Sequence, residues 1–171
     1  MNFCGQCGGP LQLNINPDGA MKICPKCKWE WWNPPVPVVI AAVRDEQGHI
    51  VYTRNNKNFP VGAWGLVSGF VEQRETLEEA AVREVKEETG LDVRVVQYIG
   101  SFLGTYNPEQ IYLSYLCEPM SGELNAGDDA EEVYKGPIDL NLFVPNSVAY
   151  KTVISLVKKI RTSGISNHSS F

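Results

Sequence analysis

Apolar and polar positions change period along this chain, and the changes mark its elements. Pro37 to Val43 (PVVIAAV) is an unbroken apolar run of strand length, the pattern of a strand buried on both faces. A turn at Gln47-Gly48 leads into His49 to Arg54, and the two segments are predicted to pair as a hairpin. Asn55 to Pro60 reads as a polar loop, and Val61 to Gly69 leads out of it. From Leu77 the period becomes helical, about 3.6 residues per turn, with Leu77, Ala81, Val82 and Val85 on one stripe. Thr76 and Glu79 form a capping box at its start, and Thr89-Gly90 supplies its stop. Val93 to Phe102 and Ile111 to Cys117 are predicted strands joined by the loop Gly104 to Gln110. Gly122 to Gly127 is turn-rich. Val148, Thr152, Val153, Leu156, Val157 and Ile160 keep helical period behind a cap at Asn146 or Ser147. These elements predict an α/β fold: a mixed sheet between covering helices.

The first 33 residues follow a different logic. Cys4-Gly-Gln-Cys7 and Cys24-Pro-Lys-Cys27 are two C-x-x-C knuckles with sixteen residues between them. That spacing fits a four-cysteine zinc pattern. Four thiolates fill a tetrahedral shell and leave no place for water, so a zinc held by Cys4, Cys7, Cys24 and Cys27 is structural. Paired disulfides or redox-active knuckles are the alternatives, and a reducing compartment disfavours the first. Asn16-Pro-Asp-Gly19 reads as the hairpin turn between knuckles. Trp29, Trp31 and Trp32 either form a docking surface or, the preferred reading, pack this small piece against the main domain. Asn33-Pro-Pro-Val-Pro37 is a stiff connector. The expected boundaries are a zinc ribbon at 1–33, a main domain at 34–162, and a flexible tail at 163–171. Cys117, inside an apolar strand, reads as an ordinary buried thiol.

Charge and composition narrow the function. The 171 residues carry a net charge of −5 and are 43% apolar, with a pI near 5.1. An acidic chain argues against broad nucleic-acid binding, although Lys22, Lys26 and Lys28 give the ribbon a local positive edge. No apolar run approaches the roughly 20 residues of a membrane span, and MNFCGQCGG lacks the form of a secretory signal. The expectation is a cytoplasmic protein without a membrane partner.

The chemistry concentrates on the first helix. Glu84, Glu87 and Glu88 lie at i, i+3 and i+4, on one face beside the apolar stripe. Like charges at that spacing oppose a helix by roughly 0.2–0.5 kcal/mol per pair. A hard divalent cation, Mg²⁺ or Mn²⁺, relieves this because it prefers carboxylate oxygens. Arg83 lies two turns after Glu75 and is placed to pair with it, bracing the loop against the helix. A solvated acidic face is the plain alternative for such a cluster alone.

The longer pattern runs from Gly69, over five residues, to Glu75, over seven more, to Arg83-Glu-Val-Lys-Glu-Glu-Thr-Gly-Leu91. It resembles the Nudix box with every defining position present. The resemblance implies a Nudix α/β/α sandwich preceded by a zinc ribbon. It also implies a hydrolase that uses Mg²⁺ or Mn²⁺ on nucleoside diphosphates linked to another moiety. By the same resemblance Glu84, Glu87 and Glu88 are metal ligands, joined by a backbone carbonyl of Ser68 or Gly69. Arg83 and Glu75 complete the catalytic set. The general base is Glu88, with Asp129 the downstream candidate and metal ligand, and Glu131 and Glu132 behind it. Phe59, Trp64 and Tyr106 flank the box on loops and are candidate base-stacking residues.

Several departures bear on substrate. Val67 and Ser68 stand where many relatives have Pro and Gly, and Arg74 replaces a Gly common before the box Glu. Ser-Gly-Phe-Val-Glu72 is closer to ribbon-bearing relatives that cleave NADH. Yet Ser101-Phe-Leu-Gly-Thr-Tyr-Asn-Pro108 lacks the Ser-Gln-Pro-Trp-Pro-Phe-Pro-like stretch of those enzymes, and Pro108 lies near a Pro found in ADP-ribose-cleaving members. The implied substrate is ADP-ribose or a dinucleotide such as FAD or NAD(H). An RNA-end hydrolase and a non-catalytic nucleotide-binding regulator are the alternatives. Nucleic acid is the less expected partner, and ribbon-bearing relatives point to a homodimer.

Overall fold

The computed structural model describes residues 1–16, 19–32, 34–54, 62–127 and 130–162, and its chain divides into two units, residues 1–35 and 36–171. In the first, β1 (Gln12–Asn16), β2 (Gly19–Ile23) and β3 (Glu30–Trp31) form an antiparallel sheet in that order. The two knuckles close alike: the amide of Gly8 donates to the Cys4 carbonyl at 3.0 Å and that of Lys28 to the Cys24 carbonyl at 2.8 Å. Each turn needs a left-handed residue four places after its first cysteine. Gly8 (φ 68°) supplies it in one, and Lys28 (φ 64°) is forced into it in the other. The Trp29 and Trp31 rings stack 6.0 Å apart. The centre of the expected hairpin turn, Pro17 and Asp18, lies outside the described residues.

The second unit contains β4 (Val36–Val43), β5 (Ile50–Arg54), β6 (Trp64–Gly65), β7 (Val67–Phe70) and α1 (Leu77–Thr89). It continues with β8 (Asp92–Leu103), β9 (Gln110–Ser121), β10 (Glu132–Gly136) and α2 (Val148–Thr162). One sheet has the order β7-β4-β9-β8, with β4 and β9 parallel and the other pairs antiparallel. A smaller sheet has the order β10-β5-β6. The mixed sheet expected from sequence is therefore present, but the β4–β5 hairpin is not. The turn forms, with the Gly48 amide on the Asp45 carbonyl at 3.0 Å, and one bridge joins Arg44 to Ile50. Beyond it the strands part, because both edges of β4 are taken by β7 and β9, and β5 pairs instead with β10 and β6.

Alternation along β4 builds two cores. Val39, Ala41 and Val43 join Ala80, Ala81 and Val85 of α1, whereas Ile40 and Ala42 join Val153 and Leu156 of α2. This two-sided burial is why β4 reads as one apolar run. At the start of α1, the Glu79 amide donates to Thr76 Oγ1 at 3.2 Å and the Thr76 amide to Glu79 Oε2 at 2.7 Å. At its end Gly90 adopts φ 73°. Ser147 rather than Asn146 caps α2, its Oγ accepting from the Tyr150 amide at 3.1 Å.

Of the acidic run, Asp128 and Asp129 lie outside the described residues. Glu132 opens β10, opposite Arg54, and pairs with it. The tail at 163–171 lies outside the described residues. Among the described residues no helix is long and apolar enough to cross a membrane.

Candidate active site

β7 delivers Ser68 and Gly69 to the face of α1 by pairing with β4, Ser68 opposite Ile40 and Gly69 opposite Val39. The Glu84 carboxylate lies flat against Gly69. A Cβ on residue 69 would stand 1.9 Å from its carboxyl carbon, so any side chain at this position displaces the Glu84 carboxylate from its seat. Glu88 is 4% exposed, and its Oε1 accepts from the Ser68 amide at 3.4 Å. Glu87, one turn from Glu84, is more open, with 43% of its side chain exposed.

Arg83 organises these groups. Nε and Nη2 donate to the two Glu75 oxygens at 3.0 and 2.7 Å. Nη1 donates to Glu84 Oε1 at 2.8 Å and Glu87 Oε2 at 3.0 Å, and Nη2 also reaches the Phe70 carbonyl at 3.0 Å. These five contacts use the full donor capacity of a guanidinium. The hydrogen bonds from Arg83 hold the Glu75 carboxyl below the usual range. Glu84 moves the other way: burial raises it, and Arg83 offsets only part of that.

Ser68, Gly69, Arg83, Glu84, Glu87 and Glu88 all line one cleft of about 660 Å³. Glu75 stands behind, acting through Arg83. Trp64 and Tyr106, expected to contact a base, line the same cleft. Phe59 and Asp129 lie outside the described residues. Several lining residues escaped the sequence reading: Glu72, Asn107, Gln110 and Tyr112. Glu72 sits in the Phe-Val-Glu segment that resembles the family pattern, so that segment was the available signal. The loop and strand residues enter only because β9 runs parallel to β4 and brings its start to the cleft, a long-range pairing.

Among the described residues lining the cleft, Glu72, Glu84, Glu87 and Glu88 face a single cation, Arg83. This excess of hard oxygen donors, with a glycine floor under Glu84, fits Mg²⁺ or Mn²⁺. In the N-terminal unit the sulfurs of Cys4, Cys7, Cys24 and Cys27 lie within 4.8 Å of one another. Cys4–Cys27 and Cys7–Cys24 are each 3.5 Å apart, close to the ~3.8 Å edge of a tetrahedron with Zn–S of about 2.3 Å. The Cys27 amide, and more weakly the Lys26 amide, lower the Cys24 thiol to about 6, whereas Cys27 is pushed up to about 12, the pull of the Trp29 amide being outweighed by burial and the neighbouring sulfurs.

A family model for the NUDIX domain matches residues 34–144. The chain is 39% identical over 124 residues to the NAD-capped RNA hydrolase NudC of Vibrio vulnificus (strain CMCP6), covering 72% of this chain and 46% of that protein. It is 33% identical over 130 residues to the NudC of Pseudomonas aeruginosa PAO1, covering 76% and 45%. The chain thus spans less than half the length of these curated relatives. Their name carries an RNA, so the expectation that nucleic acid is an unlikely partner is not supported. Among solved structures, a NUDIX hydrolase from Nitrosomonas europaea superposes with a TM-score of 0.79 at 25% identity, over 96% of this chain and 94% of that one. An ADP-ribose pyrophosphatase from Streptococcus suis shares the fold, with a TM-score of 0.57 at 23% identity over 80% and 96%. With Gly69, Arg83, Glu84, Glu87 and Glu88 of the box lining one cleft and the family model spanning most of the sequence, the chain belongs to the Nudix hydrolase family.

Proposed function

We propose that this protein is a metal-dependent hydrolase of the pyrophosphate bond in a nucleoside diphosphate linked to a second moiety. The observation that carries the reading is the set Glu84, Glu87 and Glu88 lining one cleft, with Glu84 seated on Gly69 and oriented by Arg83. When bound, Mg²⁺ or Mn²⁺ screens the pyrophosphate charge and lowers the pKa of an attacking water. Glu84, Glu87 and Glu88 hold the cation, with a backbone carbonyl of Ser68 or Gly69. Arg83, fixed by Glu75, keeps Glu84 and Glu87 from swinging apart. Glu88 acts as general base, with Asp129 the alternative from the loop side. Trp64 and Tyr106 form the walls against which a base stacks. The N-terminal unit holds one structural Zn²⁺.

The preferred substrate is ADP-ribose or a dinucleotide such as FAD or NAD(H). A second reading, an RNA 5′ end carrying a dinucleotide cap, is favoured by the name of the curated relatives. The two share an adenosine pyrophosphate and differ in what lies beyond it. A hydrolysis panel with Mg²⁺ and Mn²⁺ separates them: ADP-ribose, NADH, NAD⁺, FAD, CoA, nucleoside triphosphates and a short NAD-capped RNA, each with wild type and Glu88→Gln. A kcat/KM at least about tenfold higher on the free nucleotides supports the first reading; the reverse order supports the second. No Glu88-dependent turnover of any of them contradicts both.

A further inference from the structure

A row of side chains crosses the smaller sheet and ends in the cleft. Glu132 on β10 is the register partner of Arg54 on β5, and Arg54 is the register partner of Trp64 on β6. Glu132 pairs with the Arg54 guanidinium. That guanidinium in turn lies over the Trp64 ring, 5.1 Å from its centre. Tyr134 supports the same ring from its edge at 6.2 Å, and stacks at 5.7 Å on Tyr52, which is fully buried. Trp64 itself lines the cleft that holds Glu84, Glu87 and Glu88.

We infer that Glu132 and Arg54 are positioning residues for base recognition, fixing Trp64 as a stacking platform from behind while neither forms part of the cleft lining. The inference rests on the proposed nucleotide-cleaving function, and it gives the carboxylate of Glu132 a role other than general base. The chemistry is ordinary. A cation over an aromatic ring is attracted by its negative face, so Arg54 restricts the rotation of Trp64. Glu132 restricts Arg54, whose side chain is otherwise 40% exposed. An ion pair this open adds little to stability, so its removal leaves the fold intact while loosening the platform. Tyr134 ties the same ring to the core through Tyr52. The ligand recognised is a neutral aromatic base, with Trp64 as the wall that Arg54 and Glu132 hold in place.

The test separates binding from hydrolysis. AMP and ribose 5-phosphate, which have no pyrophosphate to cleave, are titrated calorimetrically into the full chain with Mn²⁺. Wild type binds AMP at least about tenfold more tightly than ribose 5-phosphate, the scale of one base–aromatic stack. Trp64→Ala removes most of the difference, leaving what the Tyr106 wall supplies. Arg54→Ala and Glu132→Gln each reduce AMP affinity by about threefold to tenfold and leave ribose 5-phosphate unchanged, whereas Arg54→Lys, which keeps a cation over the ring, stays within about twofold of wild type. On a cleaved nucleotide, Glu132→Gln acts on KM and not on kcat. Equal wild-type affinity for the two probes, undetectable AMP binding, or a Glu132→Gln effect equal on both overturns the inference. If the AMP preference holds while no pyrophosphate is cleaved, the hydrolase reading fails and the platform stands.

Discussion

At the scale of single residues, the site depends on contacts too close to accept an extra atom. Gly69 is the clearest. Its backbone is compatible with any residue, but the Glu84 carboxylate occupies the place of its Cβ. Gly69→Ala is therefore expected to push Glu84 off its seat and lower kcat/KM by about 10²-fold, the cost of roughly 1 Å of misplacement, with Mn²⁺ affinity falling alongside; unchanged Mn²⁺ binding by calorimetry contradicts this. Arg74 makes the opposite case. It holds φ 75°, the left-handed region that favours glycine, so the loop keeps its shape at a cost. Arg74→Gly is expected to stabilise the protein by about 1 kcal/mol in urea unfolding. The three glutamates were legible in the sequence because i, i+3 and i+4 share a helix face. The seat of Glu84 on Gly69 was not, since it joins residues fifteen apart across a strand and a helix.

At the scale of elements, α1 carries its own start and stop, which is why its sequence reading and its observed span agree so closely. The capping box makes a pH-dependent contribution. Hydrogen bonds from the Thr76 amide and hydroxyl hold Glu79 below its ordinary 4.5. A depressed carboxyl stabilises the fold above 4.5 and loses that contribution as pH falls through the folded value. Thr76→Ala is expected to cost about 1 kcal/mol near neutral pH, and the gap from wild type should narrow as Glu79 protonates. Urea unfolding between about pH 6 and pH 3 measures this; a gap independent of pH contradicts it. The strands divide by the range of their contacts. β4, β8 and β9 announce themselves by apolar composition. β6, β7 and β10 are short, mixed in composition and defined by partners far away, and β5, which adjacency in sequence pairs with β4 as a hairpin, pairs with β10 and β6 instead. The decision lay with β7 and β9, which occupy both edges of β4.

At the scale of the whole molecule, the chain divides into two compact units, and the four cysteines of the zinc pattern all lie in the first. All α-helix described lies in the second unit. The proposed zinc site therefore predicts close to one Zn²⁺ per chain by elemental analysis, lost in Cys24→Ser. It also predicts that chelation removes ordered structure from residues 1–35 while the far-UV helical signal persists. Full retention of zinc in Cys24→Ser, or collapse of the helical signal on chelation, contradicts it. The two-knuckle spacing was legible because a small metal site writes its ligands as a local pattern. The cleft was only half legible: its α1 wall lies within the box, whereas Asn107, Gln110 and Tyr112 reach it through the parallel pairing of β9 with β4.

The central claim is that the cleft carboxylates bind a divalent cation and use it to break a pyrophosphate. Titration of Mn²⁺ into wild type, Glu84→Gln and Glu88→Gln, followed by nucleotide cleavage in the same samples, tests it most directly. The account predicts a saturable Mn²⁺ site in wild type, weakened at least about tenfold in each variant, with cleavage falling by about 10² or more. Wild-type Mn²⁺ affinity and cleavage in both variants would place the metal chemistry elsewhere and contradict the account.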